Sequence, residues 1–280
     1  MKPHKASHII AFRNGSQTSR EDFLAVEEPL LISLQGPEQT EPTPLLSIMR
    51  TPGDDENLVR GFLFAEGIID KQDQITTIEY FDDLGERDEN HLVVNLNEQH
   101  APVSERRFTA NSSCGVCGRL LIEDIEKLSN RPMNPNGPYV SEAIVLQITN
   151  RAKTEQPLFE LTGASHAASL YNANGELIAV CEDIGRHNAL DKLIGMTLTN
   201  EPQLLAESIL LVSGRASYEL AQKAVRAGIP VMLAVGAPSS LAVRIAQRFD
   251  MTLIGFLKSS RYNIYHGQWR MQTEELPDVT

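Results

Sequence analysis

Apolar residues recur with two different periods along this chain, and the change from one to the other divides it. Over residues 75–81 and 91–96 they alternate with polar residues, the period of half-buried strands. Further strands are predicted over 7–12, 23–28, 30–34 and 45–49, with Pro29 breaking the second from the third. The polar run 14–19 and the acidic run 82–90 read as connections, and Gly36-Pro37-Glu38 as a turn. One helix interrupts the strands. Leu58, Val59, Phe62 and Leu63 share a face, Asp54 is placed to cap the start, and Gly67 is placed to end it.

Beyond residue 105 the pattern turns helical, after a short strand expected over 106–110. Leu120, Leu121, Ile125 and Leu128 line one face of a helix expected over 119–128, and Ser141 caps another running to about Arg151. The run from Leu161 through Tyr171, the turn at Asn172-Ala173-Asn174-Gly175 and the return over 176–180 form a hairpin signal, with a helix expected from near Asn188. The last third alternates strands at 208–212, 231–235 and 252–257 with helices at 217–227, closed by Gly228, and 239–249. That βαβαβ order predicts parallel strands and right-handed crossovers. The chain therefore divides into an N-terminal segment 1–20, a small α+β domain 21–105 and an α/β domain 106–280.

Composition narrows the class. The chain has 280 residues, 41% of them hydrophobic, enough for a sizeable core, and a formal charge of −12. Nucleic-acid binding, which depends on neutralising phosphates, is not expected. No apolar run reaches the length of a membrane span, and the residues after Met1 lack an apolar signal region. Three cysteines without a framework of pairs point to a reducing, cytoplasmic compartment.

Two of those cysteines form the candidate chemistry, in Ser112-Ser113-Cys114-Gly115-Val116-Cys117-Gly118-Arg119. This places a C-x-x-C at the entry of the helix over 119–128. Helix N–H groups and Arg119 favour a thiolate there, and the glycines leave room for another sulfur to approach. A zinc site would need four ligands, and no second C-x-x-C exists. A redox pair and two incidental cysteines are the other readings. Cys181, at the end of an apolar strand, reads as structural.

A second constellation comes from the parallel strands. Ligands of such sheets lie beyond the strand C-terminal ends. Those ends carry Ser213-Gly214-Arg215, Gly236-Ala237-Pro238-Ser239-Ser240 and Lys258-Ser259-Ser260-Arg261. Arg215, Lys258 and Arg261, with hydroxyls and two helix N-termini, predict an anion cradle. Each cation alone would read as a solvated charge. His166 and His187 are either site residues or hydrogen-bonded structural histidines.

Five segments, in order, carry a resemblance: the Cys114 loop, Leu161-Thr162-Gly163-Ala164-Ser165-His166-Ala167-Ala168, Cys181 through Leu193, Val212 through Glu219, and Gly255 through Arg261. Together they resemble the formate dehydrogenase accessory sulfurtransferases, the FdhD family, over about residues 20–265. The resemblance implies a cytidine-deaminase-like α/β domain with a mainly parallel sheet, a smaller N-terminal α+β domain, and a cytoplasmic homodimer. It implies a sulfurtransferase that takes persulfide sulfur from a cysteine desulfurase and delivers it to molybdenum bis(molybdopterin guanine dinucleotide), activating formate dehydrogenase. Cys114 and Cys117 would carry the sulfur. Phe256, Leu257, Lys258, Ser259, Ser260 and Arg261 would bind the cofactor, joined by Arg215, His166 and His187. The family often has Pro-Gly where this chain has Ser259-Ser260. A cofactor chaperone that does no chemistry is the main alternative. A zinc deaminase is a minor one, because His166-Ala167-Ala168 lacks the glutamate of H-x-E and Cys114 does not follow proline.

Overall fold

The computed structural model describes residues 1–83, 86–97 and 133–272. Strands β1 (His4–Arg13) and β2 (Ser16–Ala25) form an antiparallel hairpin. Here the expected loop over 14–19 shrinks to two residues. Asn14 and Gly15 both take positive φ, at 51° and 79°, and such a turn matches the twist of its strands. The residues from Ser16 are polar because both faces of this part of the strand meet solvent.

The next strand, β3 (Glu28–Gln35), includes Pro29 rather than stopping at it. The break falls at residues 26 and 27. Pairing of β3 with its parallel neighbour begins only at Leu31, so the missing N–H of Pro29 costs that ladder nothing. With β4 (Thr43–Arg50), β5 (Ile75–Asp83) and β6 (Glu86–Leu96), it forms a sheet in the order β4-β3-β6-β5. The acidic run 82–90 is mostly strand, part of the β5–β6 pairing rather than a separate connection.

Helix α1 (Asp55–Ala65) buries the predicted stripe of Leu58, Val59, Phe62 and Leu63. Asp54 holds the capping position, but its φ is 56° and its side chain caps nothing. The start of the helix is held instead by Asp55, whose two oxygens accept from Arg50 Nε and Nη2, each at 3.0 Å, in full burial. Gly67, at φ 69°, closes the helix as expected.

After β7 (Val140–Ser141), helix α2 (Glu142–Arg151) begins on Ser141, whose Oγ accepts from Ile144 N–H at 3.3 Å. A short helix that the pattern did not predict, α3 (Pro157–Thr162), takes up Leu161 and Thr162. Strand β8 (His166–Tyr171) therefore starts later than Leu161, after Gly163 reverses the chain at φ 67°. It pairs with β9 (Leu177–Asp183). Helix α4 (Arg186–Asn200) starts two residues before the expected Asn188.

Strands and helices then alternate as predicted: β10 (Ile209–Val212), α5 (Tyr218–Ala227), β11 (Val231–Ala234), α6 (Ser240–Arg248) and β12 (Thr252–Lys258). Strand β13 (Arg261–His266), which the pattern did not predict, turns back along β12, and β14 (Met271–Gln272) pairs with β7. The six-stranded sheet has the order β13-β12-β11-β10-β8-β9. Pairs β10–β11 and β11–β12 are parallel, and the other three are antiparallel. Strands β9, β10, β11 and β12 consequently run one way, and β8 and β13 the other.

One face of this sheet, with Ile209, Leu211, Val231, Leu233 and Ile254, packs with Val145 and Ile148 of α2. The other face joins α4, α5, α6, α1 and the four-stranded sheet in a single apolar cluster. Helices α1 and α4 approach so closely that glycine is required at two points. A Cβ on Gly61 would lie 1.9 Å from Asp191 O, and one on Gly195 would lie 2.0 Å from Asn57 O. The boundary expected near residue 105 lies outside the described residues. No helix among those described is long and apolar enough to cross a membrane.

Candidate anion-binding edge

The strand directions decide what meets at one edge of the six-stranded sheet. The C-terminal ends of β9 to β12 lie there, with the first residues of β8 and β13. Helices α4, α5 and α6 each begin just after one of those strand ends, so their N-termini share the same edge. Unpaired N–H groups give each of these ends partial positive charge. Ser239 caps α6, its Oγ accepting from Ala242 N–H at 3.2 Å, whereas Ser217 at the start of α5 makes no cap bond.

Arg215, Lys258 and Arg261 are all exposed at this edge, as the sequence pattern predicted. Lys258 and Arg261 are cross-strand partners, and Ser259-Ser260 is the two-residue turn between them. The expected strand end is therefore the tip of a hairpin. The span from Gly255 to Lys258 opposes the shorter span from Asn263 to Arg261, which leaves one extra residue on β12. This bulge carries Phe256 at φ 56° with its ring exposed, an unusual conformation for a residue with a side chain. Leu257 points into the core instead. Gly236 lets the neighbouring turn close in, since a Cβ there would lie 3.0 Å from Arg215 Cα and N.

His166 and His187 join the same edge from β8 and α4. His166 Nδ1 lies 3.3 Å from Ser213 Oγ, which accepts the Ala167 N–H at 2.9 Å. Burial, then the charges of Arg186 and His187, push the His166 pKa down. His187 Nε2 lies 3.4 Å from Ser217 Oγ and 3.6 Å from Glu219 Oε2. Ser213 was expected here among the strand-end hydroxyls; Arg186, Ser217 and Glu219 were not singled out by the sequence reading. They sit inside the quoted segments 181–193 and 212–219, so the signal was there without an assignment. Arg186 borders Gly214, and its buried Nε has no hydrogen-bond partner among the described residues. An anionic ligand at this edge would fit that donor.

The remaining acids of the segment face inward. Glu182 accepts from Leu158 N–H and Phe159 N–H, each at 2.8 Å, and so caps α3. Asp183 and Lys192 form a fully buried ion pair at 2.8 Å. Asp183 also accepts from Thr51 N–H at 3.0 Å, Gly185 N–H at 2.8 Å and Asn188 Nδ2 at 2.9 Å. Lys192 Nζ donates to Thr51 O at 2.8 Å, and Asn188 Nδ2 to Met49 O at 2.8 Å. The segment therefore joins the four-stranded sheet to the six-stranded one. Cys181 is buried, and burial, then the charge of Asp54, pushes its thiol up to about 12. Cys114 and Cys117 lie outside the described residues.

Comparison with known proteins places the chain in a family. A family model, the FdhD/NarQ family, matches residues 25–272. A sulfur carrier protein FdhD of Streptomyces coelicolor is 42% identical over 271 residues, covering 94% of each chain. Proteins of the same name from Sulfurisphaera tokodaii and Mycobacterium tuberculosis are 38% and 41% identical, covering 93% and 88% of this chain and 96% and 91% of theirs. This chain belongs to the FdhD/NarQ family. Its fold matches a crystal structure from Desulfotalea psychrophila, described as that of a formate dehydrogenase accessory protein, with a TM-score of 0.71 at 24% identity, over 96% of this chain and 99% of the other.

Proposed function

We propose that this protein is a sulfur carrier that serves formate dehydrogenase. Cys114 or Cys117, as a thiolate, attacks the outer sulfur of a persulfide on a cysteine desulfurase. A new S–S bond forms on the carrier, the donor S–S bond breaks, and the desulfurase cysteine leaves as a thiolate. The carried sulfur is then passed to molybdenum bis(molybdopterin guanine dinucleotide), held as substrate at the sheet edge. The phosphates of that molecule suit Arg186, Arg215, Lys258 and Arg261 and the three helix N-termini. The protein works as a cytoplasmic homodimer in this reading.

The observation that carries the reading is membership of a family whose relatives are named sulfur carriers, in a chain whose sheet edge gathers cations. Loading the protein with a desulfurase and cysteine should add about 32 Da per sulfur, a reversible thiol cap. Cys114→Ala should fail to activate formate dehydrogenase in an activation assay, with Cys117→Ala read alongside it. Activation by Cys114→Ala at the parent level would overturn Cys114 as the primary carrier. Activation by the double variant at that level would overturn the reading as a whole.

A further inference from the structure

Glu219 is an acid on an edge built for anions. It stands in the first turn of α5, and its Oε2 lies 3.6 Å from Nε2 of His187 in the first turn of α4. Ser217 Oγ lies 3.4 Å from the same nitrogen. Both oxygens therefore face the same ring nitrogen. This is not a hydrolase triad, in which the acid and the serine would hold opposite ring nitrogens. The remaining charged neighbours come from every element around the pair: His166 on β8, Arg186 and Asp191 on α4, and Lys223 on α5, which is bound at 2.9 Å to Asp191 and at 3.4 Å to Glu66 of the loop after α1.

We propose that Glu219 is a positioning residue that holds His187 through Nε2 and sets the charge of the anion-binding edge. When His187 is protonated, the pair is neutral. When His187 loses its proton, Glu219 stays behind as an uncompensated negative charge and repels phosphate. Affinity for an anionic phosphate is then lower with His187 neutral than with His187 protonated. The His187 ring N–H, 3.6 Å away, pulls the Glu219 carboxyl down to about 2, so Glu219 stays anionic in both cases. The proposal rests on the anion-binding part of the function above.

The test uses diguanosine diphosphate, whose two anhydride-linked phosphates, each esterified once, keep one charge apiece between about pH 5.5 and 8.5, well above their own titration. Binding to the full chain should be about threefold weaker at the upper end of this pH range than at the lower end, as expected for one partly screened charge. Glu219→Gln should bind about threefold more tightly at neutral pH, because an acid beside the anion is gone. His187→Asn should lose the inflection. Weaker binding of Glu219→Gln at every pH would mean that the residue only supports the fold, and would overturn the proposal. An inflection that survives in His187→Asn would belong to His166 and overturn it equally. Proton NMR of the unliganded protein should show the His187 ring signals moved in Glu219→Gln, and unmoved signals would refute the pair. If the wild type binds no diguanosine diphosphate at all, the anion-binding reading of the edge fails, while the NMR result still decides the pair.

Discussion

The segment from Cys181 to Lys192 faces two ways, and the two sides treat charge differently. On the inner side, Asp183 and Lys192 are fully buried, and every partner holds them at a set distance. On the outer side, Arg186 and His187 stand at the start of a helix, on the edge that carries exposed Arg215. Ionisable residues of one segment thus either lock two sheets together or stay open to a ligand. Burial decides which. A charge taken out of water must be satisfied within the protein, and is then unavailable for binding. A charge at the sheet edge keeps its solvent or, like the buried Nε of Arg186, has no hydrogen-bond partner among the described residues, and can take a phosphate.

The largest effects are expected on the inner side. Lys192→Met strands the Asp183 carboxylate in the core and should cost about 3–5 kcal/mol, read by denaturant unfolding. Adding Asp183→Asn should recover part of that loss; no recovery would mean that the pair does not act as a unit. Next in size, Gly61→Ala drives a methyl group into the backbone of α4 and should cost about 3 kcal/mol, at the upper end for overpacking. A loss below about 1 kcal/mol, within the range of mild substitutions, would mean that α1 can slide on α4 freely.

Substitution on the outer side should separate stability from binding. Arg261→Ala should change stability by less than about 0.5 kcal/mol, as exposed substitutions do. It should nevertheless weaken diguanosine diphosphate about tenfold, one charge-assisted contact, in a calorimetric titration. Equal losses of stability and binding would put Arg261 on the structural side. The smallest effect concerns pH. The carboxyl of Glu219 titrates at about 2 in the folded protein, below its ordinary value of 4.5. A depressed carboxyl stabilises above its unfolded pKa, and the contribution disappears as pH falls from 4.5 toward 2. The side chain is 43% exposed, so solvent screening should hold the effect below about 1 kcal/mol. The stability gap between wild type and Glu219→Gln should narrow between pH 6 and pH 3 in urea unfolding.

Much of this molecule could be read from periodicity and punctuation. The βαβαβ order of the last third, the stripe of α1, the cap at Ser141, and the stops at Gly67 and Gly228 are local features. They depend on which residues lie three, four or two positions apart. The collection of Arg215, Lys258 and Arg261 at one edge followed from strand direction alone. Where local signals were ambiguous, tertiary partners decided. Pro29 stays in β3 because β6 asks nothing of it, and β13 forms because Ser259-Ser260 can turn tightly enough to pair Arg261 with Lys258. The split of the 181–192 segment into an inner joint and an outer edge belongs to the tertiary structure entirely. Thr51 and Met49, which complete the joint, lie more than 130 positions away from Asp183 and Asn188. The sequence shows which side chains can carry charge, and only the packing of the two sheets determines which of those charges water can still reach.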